Sequence, residues 1–470
     1  MKGETMKSEK IFKVLRKAWM NWTFITLFFI GIPSFVHADI SDMLSNFYPY
    51  ITAEEEYSTN ILLSPHAYKL DDWITRVIPG LKYSTLQAGK YGIDLDVSGG
   101  YTYYAKNHDF SYWSPKGNLN AWYAVTPKLT FRVMDYLIRS DAIRESRYDT
   151  LYDTEGQYIG DTQPNQYLLS SQRGVHAIYL RNVVEPSVTY RFGRENLISL
   201  LYRNNNYNNK RDDLFEDSAE HTINPRLDYW FDVRNGITLE GLLTYGYFDV
   251  SEDLVSYEGR GRYTFRFTPK LSLFGEYTYI AMDFNNPGVD YNIHKPGLGI
   301  EYKFSPTLTG TVLGGYYWEI PDNEEEGAKA KGPHFTLRLI ERGRKTTYTL
   351  IGEGGYVQNY FTSENLGFNK YYRAYGTINH MLTERLSVRA TGSMDRPKYS
   401  DGRKDWIWDG RISASYLLFQ WVTVGLEGGH REAHSNVDGV GYSEYSGLFR
   451  ITLAKPGYQQ GIPTRGRSTF

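Results

Sequence analysis

Histidines occur at two places where their spacing could support metal binding or proton transfer. His430 and His434 are four residues apart, so on a β-strand they would share a face and could share a metal ion. Asn107, His108 and Asp109 are adjacent in a polar segment that is predicted to be a loop. Neither group has the spacing of a recognised zinc site or catalytic triad. The sequence therefore predicts no enzyme, no metal and no cofactor.

Charged residues are far more numerous, and they recur at every second position in many segments. Residues 258–267 place Glu258, Arg260, Arg262 and Arg266 at alternate positions, with glycine, tyrosine and phenylalanine between them. Successive side chains on a strand point to opposite sides, so each such strand has one charged face and one apolar face. A soluble sandwich would fill its hidden face mainly with Leu, Ile and Val. The pattern instead favours a closed transmembrane barrel with lipid outside and water inside.

This alternation assigns a set of side chains to the interior of the barrel. The outward set should carry almost no charge, because Arg or Lys at the bilayer midplane costs about 2–4 kcal/mol. The inward charges either brace the wall as ion pairs or line a path for a polar or anionic solute. Inward aromatic rings, which include Phe274 and Tyr375, either pack within the wall or stack on sugar rings. The predicted lumen-lining residues are Arg226, Arg260, Arg262, Arg266, Arg389, Arg411, Asp228, Glu240, Glu258, Asp395, Asp409, Trp122 and Trp230.

One row of arginines is the part of this wall best able to guide an anionic chain. It consists of Arg226, Arg260, Arg262 and Arg266. A positive row in water attracts carboxylated or phosphorylated sugars over a screened range of about 8 Å at physiological ionic strength. The alternative is that nearby carboxylates neutralise the row and leave it a bracing role. Those carboxylates are Asp228, Asp232, Glu240 and Glu258.

Turn signals divide the chain into about 20 alternating segments, with 18 as the alternative count. Residues 125–131, 267–273 and 304–309 share a Thr or Ser, then Pro, then Leu pattern, and proline pre-sets its φ for a tight turn. Longer polar connections, such as residues 141–173, join the other strand ends. The short turns are predicted to be periplasmic, and the 141–173 connection could fold into the lumen.

The fifth predicted strand is the least regular. Its outward positions Leu129, Phe131 and Val133 would be followed by Asp135. A carboxylate there would face lipid, so a β-bulge near Met134 is predicted.

The chain is predicted to begin with a secretory signal peptide over residues 1–38. A basic stretch precedes an apolar run at about residues 22–32, and the small-residue site ends at Ala38. This run is shorter than the roughly 18 residues that a spanning helix needs. The predicted organisation is signal peptide 1–38, barrel 39–453 and C-terminal tail 454–470. With so few residues ahead of the first strand, a separate plug domain is not expected. The predicted location is the outer membrane of a Gram-negative bacterium.

Composition agrees with this class of protein. The 470 residues include 42 Tyr, 23 Phe, 10 Trp and 44 Gly, which suits interfacial aromatic girdles and close-packed strands. The absence of cysteine excludes a lipoprotein anchor, disulfides and covalent c-type haem. A formal net charge of −2 argues against nucleic acid as a partner. The predicted partners are outer-membrane lipid and lipopolysaccharide, polysaccharide or small polar solutes, and a periplasmic export protein.

The first predicted hairpin carries a family resemblance. Residues 54–61 are acidic and contain Asn60-Ile61, and residues 78–83 contain Pro79-Gly80-Leu81. In these segments the chain resembles the β-barrel porin family linked to exopolysaccharide and capsule secretion. The resemblance implies a conduit that passes a newly made polymer through the outer membrane. Two alternatives remain open, namely a general or substrate-specific diffusion porin and a barrel sheath around a separate electron-carrying protein.

Overall fold

The structure is a computed structural model. It describes residues 45–85, 90–141, 176, 178–209, 216–250, 252–284, 290–322, 330–358, 368–399 and 402–456. The predicted signal peptide, nearly all of the 141–173 connection and most of the predicted tail lie outside these residues. The chain divides into two compact units, Met1–Phe47 and Tyr48–Phe470. The second unit contains the sheet described below, apart from the first residue of its first strand.

Twenty strands, joined in places by short 3-10 helices at His66–Tyr68 and His108–Phe110, make up the described structure. The strands are long enough, at 10 to 15 residues, to cross a bilayer when tilted. Their bounds are β1 Phe47–Ser58, β2 Asp72–Ser84, β3 Tyr91–Tyr104, β4 Tyr112–Ala124, β5 Leu129–Asp141, β6 Ile178–Phe192, β7 Asn196–Asn209, β8 Ser218–Trp230, β9 Asn235–Phe248, β10 Leu254–Arg266, β11 Leu271–Phe284, β12 Tyr291–Lys303, β13 Leu308–Pro321, β14 Lys331–Arg342, β15 Thr346–Gln358, β16 Phe368–Met381, β17 Leu386–Asp395, β18 Asp405–Phe419, β19 Val422–Ser435 and β20 Tyr442–Ala454.

The sheet is closed and antiparallel. Each strand pairs with its neighbours in the chain, and β1 pairs with both β2 and β20. The closing register places Tyr50 opposite Ala454 and Glu54 opposite Arg450. A 20-stranded all-β barrel is therefore confirmed, and the alternative of 18 strands is wrong. Closure removes the two free sheet edges that an open sheet of this size would expose.

The two ends of the barrel differ in how they connect the strands. At the end that we call the turn end, four-residue turns such as 125–128 and 267–270 join consecutive strands. The repeated Thr or Ser explains them, because the Thr126 hydroxyl accepts a hydrogen bond from the Leu129 N–H at 3.0 Å and Thr268 accepts one from Leu271 at 2.9 Å. The opposite end, which we call the loop end, carries longer connections such as residues 59–71.

The two faces of the wall differ in chemistry as the alternation predicts. The side chains of the outward-pointing residues Leu298, Ile412 and Leu426 are strongly exposed on the surface of the barrel. Contact of such apolar surface with water is unfavourable, whereas contact with lipid is favourable. Within the described residues, no helix is long and apolar enough to cross a membrane.

The predicted bulge near Met134 is wrong. β5 keeps an unbroken register with β6, from Leu129 opposite Tyr190 to Asp141 opposite Ile178. Asp135 therefore stays on the outward face, where its Oδ1 accepts a hydrogen bond from the Asn182 amide at 2.7 Å. A neighbouring amide on the same face satisfies the carboxylate without interrupting the ladder. The register shift in β18–β19 lies instead between Leu417 and Phe419.

Candidate functional site: the interior of the barrel

Cross-strand register brings several of the predicted interior residues into contact. Arg260 lies opposite Glu240 on the neighbouring strand, and their side chains form an ion pair. The Arg226 guanidinium donates to both carboxylate oxygens of Asp228, two residues along β8, at 3.0 and 3.2 Å. The Asn224 amide also donates to Glu240 at 3.3 Å. Glu240 thus connects β8, β9 and β10 through Asn224 and Arg260, while Arg226 and Asp228 pair along β8.

The other two arginines of the row lie on aromatic rings. The Arg266 guanidinium is 3.5 Å from the centre of the Trp230 ring and forms an ion pair with Glu195 in the β6–β7 turn. Arg262 is likewise 3.5 Å from the centre of the Phe274 ring. Stacking fixes both guanidinium planes against the wall, and the ring quadrupole adds attraction.

These contacts correct the picture of a free positive row. Glu240 and Asp228 do neutralise Arg260 and Arg226, and the neutralising partner of Arg266 is Glu195. Asp232 takes no part, because its carboxylate accepts hydrogen bonds from the backbone N–H groups of its own turn. The geometry of this wall therefore favours bracing over long-range steering of anions.

Ion pairs also join the other predicted charged residues. Asp409 accepts from Arg431 at 2.7 Å and from Arg411 at 3.4 Å. Asp395 and Glu353 both bind Arg373, at 2.5 and 3.0 Å. The remaining predicted charges lie on the same inward face, where Glu258 is half-buried and Arg389 is exposed.

Exposure of the arginines to water changes along the barrel axis. Arg431 is the fifth residue from the loop end of β19 and its side chain is 5 % exposed, while Arg373, sixth in β16, is 8 % exposed. Arg260 is seventh in β10 and 34 % exposed, and Arg226 is ninth in β8 and 40 % exposed. The interior is therefore wet toward the turn end and dry toward the loop end.

An apolar cluster accounts for much of the dryness at the loop end. Three consecutive residues of the β1–β2 connection, Ile61, Leu62 and Leu63, are buried in it. They pack against inward-facing side chains near the loop ends of six strands, so the connection folds into the barrel rather than away from it. These side chains are Ile74, Tyr104, Tyr112, Ile407, Ala433 and Tyr442.

The cluster extends across much of the barrel. Ile178 of β6 and Tyr371 of β16 also pack against it. In a closed ring of 20 strands these two strands are ten positions apart, that is, on opposite sides. The cluster around Ile61, Leu62 and Leu63 therefore extends along about half of the circumference of the loop end.

Hydrogen bonds fix the inserted connection in place. The Asn60 amide donates to the carbonyl of Ser64 at 2.7 Å and to the carbonyl of Ser443 on β20 at 3.1 Å. Its Oδ1 accepts from the Ser64 N–H at 2.9 Å, and Ser58 donates to buried Glu444 at 2.6 Å. Leu63 has a φ of 51°, in the left-handed region that a branched side chain rarely adopts. That strain indicates that packing holds the turn.

A second apolar cluster lines the loop end on the far side. Its members come from β9 to β13, and Ile293 and Tyr317 are fully buried. Together the two clusters surround most of the loop end with apolar and aromatic side chains. The remaining members are Phe248, Leu254, Ile280, Met282 and Tyr291.

Sequence reasoning missed the inserted β1–β2 connection, since it expected no plug ahead of the first strand and looked to the 141–173 connection. A signal was present, because the apolar run Ile61-Leu62-Leu63 follows Asn60 in an otherwise polar loop.

The histidine pair that the sequence singled out does not line the interior. His430 and His434 point outward, where His430 stacks on Tyr445 at 4.3 Å and both rings lie near Glu432. His108 is held by the Tyr104 carbonyl at 3.0 Å. No group of three potential metal ligands occurs among the residues that the structure describes.

Comparisons with known proteins found similar barrels but no family. No family model matches the chain, and a search of curated protein sequences found no match. The siderophore receptor PirA from Pseudomonas aeruginosa has a TM-score of 0.48 at 11 % identity, covering 87 % of this chain and 80 % of that chain. A BenF-like porin from Pseudomonas fluorescens Pf-5 gives 0.43 at 10 %, covering 88 % and 100 %. The outer membrane protein opdK from Pseudomonas aeruginosa gives 0.39 at 8 %, covering 87 % and 100 %.

Proposed function

We propose that the protein is an outer-membrane channel whose interior is wide and wet at the turn end and narrow at the loop end. The observation that carries this proposal is an apolar outward face combined with inward ion pairs that keep contact with water, such as those of Arg226 and Arg260. A closed barrel can lie in lipid because every ladder hydrogen bond is made within the sheet. Its polar interior then offers a path for polar solutes.

The turn end faces the periplasm in this proposal, because bacterial outer-membrane barrels carry short turns there. A solute from the periplasm would first meet the charged, wet half and then the apolar narrowing. Lipid and lipopolysaccharide would cover the outward face, and a periplasmic export protein would dock at the turn end.

We infer that the solute is an exported polysaccharide. The residues behind the family resemblance have defined roles in the interior, which supports the inference. Glu54 and Glu56 both bind Arg76, and Asn60 and Ile61 hold the connection that narrows the loop end. A wall of paired charges of both signs suits a polymer of polar units, because it offers hydrogen bonds all along the path without one deep electrostatic trap.

Deletion of the gene in its host, followed by measurement of surface polysaccharide, tests this function. We expect the deletion strain to lose surface polymer and to accumulate it in the periplasm, and we expect Arg226→Gln to restore export because the wall offers hydrogen bonds from other paired charges along the path. Unchanged surface polymer in the deletion strain would exclude export.

Diffusion of small polar solutes is the second candidate. Asp228 and Glu240 neutralise Arg226 and Arg260, so this part of the interior wall carries little net charge. A wall with little net charge suits weakly selective passage of solutes. Liposome swelling separates the two functions. A diffusion porin would admit monosaccharides rapidly, whereas an export conduit narrowed at the loop end would admit them slowly unless residues 59–71 are removed.

A further inference from the structure

Four aromatic rings in the turn-end half of the interior lie across glycines of the neighbouring strand. A Cβ atom on Gly92 would be 1.9 Å from the Trp122 ring, so no other residue leaves room for the indole. Each ring is therefore held against the wall, with one face on backbone. The corresponding distances are 2.6 Å for Gly236 under Trp230, 2.1 Å for Gly299 under Phe274 and 2.2 Å for Gly80 under Tyr50.

The inner faces of these rings are used differently. Arg266 covers the face of Trp230, and Arg262 covers the face of Phe274, so neither ring can stack on a sugar. Among the described residues, no aromatic ring or cation stacks on Trp122, which is only half-buried. Trp122 therefore presents a flat apolar face to the water-filled half.

A cation lies on the next strand, opposite Trp122 in the register. Arg132 is the cross-strand partner of Trp122, points inward and is exposed. It makes no ion pair within the described part of the chain. The nearest inward carboxylates along the neighbouring strands are engaged elsewhere, because Asp94 accepts a hydrogen bond from Ser84 and Glu185 binds Arg203.

We propose that Trp122 and Arg132 form a binding site for one acidic sugar unit of the transported polymer. The proposal rests on the polysaccharide-export function. The C–H face of the sugar ring packs on the indole, and the carboxylate of the sugar accepts charge-assisted hydrogen bonds from the guanidinium. Gly92 preorganises the indole, so little of the tryptophan's side-chain freedom is lost on binding.

Titration calorimetry on the full-length barrel in detergent tests this site, with trigalacturonic acid as the probe and neutral maltotriose as the control. We expect trigalacturonic acid to bind more tightly than maltotriose, and Trp122→Ala and Arg132→Gln each to weaken it about tenfold. Arg132→Gln should also remove the dependence of the affinity on salt, which Trp122→Ala should keep. Trp230→Ala is the matched control, because Arg266 already covers that ring, and its affinity should equal that of the wild type.

Equal affinity for the two trisaccharides, or an unchanged affinity in Trp122→Ala, would overturn the site. Heat-modifiable migration on gels shows that each variant is folded. Calorimetry needs no transport, so the two proposals fail separately. A wild-type barrel that conducts ions in a planar bilayer but binds no trigalacturonic acid overturns the site alone, and one that binds it without conducting overturns the channel alone.

Discussion

The two halves of the barrel interior use the same residue types in opposite ways. Toward the loop end, Arg431 and Asp409 are almost completely buried and lie below the apolar cluster around Leu63. Toward the turn end, Arg226 and Asp228 also form an ion pair, at 3.0 Å, but the Arg226 side chain remains 40 % exposed. This difference in burial shows that the role of an ion pair in this wall depends on its position along the barrel. Its surroundings decide whether it holds the structure or merely lines a wet surface.

Physical chemistry assigns unequal energies to the two kinds of pair. Removing one partner of a buried pair leaves a charge without compensation, whereas an exposed pair is screened by water and salt. Stability should therefore be concentrated at the loop end, and solute contact should be concentrated at the turn end.

Neutralising one arginine in each half tests this division with the largest expected effect. Arg431→Gln should lower the free energy of unfolding by about 3–5 kcal/mol, because Asp409 then loses its buried partner. Arg226→Gln should change it by about 0–1 kcal/mol. Denaturant unfolding in the same lipid or detergent measures both. Equal losses in the two variants would break the comparison.

Shortening a side chain of the inserted connection should have the second largest effect on stability. Leu63→Ala removes a fully buried side chain and should cost about 2–5 kcal/mol. It should also widen the loop end, so single-channel conductance should rise. The matched control is Leu426→Ala on the exposed outward face, which should leave conductance as it is. A Leu63→Ala barrel with wild-type conductance would show that the cluster does not narrow the path.

Replacing Asp135 tests whether the outward face of the barrel contacts lipid rather than water. It lies midway along β5 on the outward face, where its carboxylate accepts a hydrogen bond from the Asn182 amide. Asp135→Leu should stabilise the barrel in lipid by about 1 kcal/mol, less than the roughly 2–4 kcal/mol for Arg or Lys at the midplane. Asp409→Leu in the buried interior should destabilise it. Loss of stability in both variants would contradict this assignment of faces.

The smallest expected effect concerns the turns at the wet end. The Asn235 side chain and the backbone N–H groups of Arg234 and Asn235 donate to Asp232 and lower the pKa of its carboxyl below the usual 3.8. A lowered pKa in the folded state contributes stability above pH 3.8 that is lost as the pH falls through the folded value. Asp232→Asn should flatten that part of the pH profile. Identical acid profiles of variant and wild type would refute the role of the turn.

Alternation and turn chemistry predicted the barrel, and their precision differed between its two ends. The turn patterns predict strand starts at Leu129, Leu271 and Leu308, and the structure confirms them, because proline and hydroxyl side chains mark those turns sharply. At the loop end, the alternation predicts that the fourth strand starts at Lys116, whereas β4 begins at Tyr112. There the polar connections continue the strand pattern without a clear stop.

Side-chain partners inside the barrel were beyond the reach of the sequence. Alternation fixes the face of Arg260 or Arg266 but leaves the stagger of neighbouring strands open, so it cannot choose between Glu240, Glu195 and other carboxylates. A bulge is predicted because Asp135 would otherwise face lipid without a partner. Its partner, Asn182, lies 47 residues away in the chain. A pair that distant is visible only once the register is known.

Thiol labelling measures the central claim most directly, since the chain contains no cysteine. Ser415→Cys places a thiol on the inward face of β18 toward the turn end, and Ala433→Cys places one on adjacent β19 within the loop-end cluster. In lipid vesicles, a polar maleimide should modify the first thiol rapidly and leave the second protected until the barrel is denatured. Similar labelling rates at the two positions would contradict a wet turn end and a dry loop end.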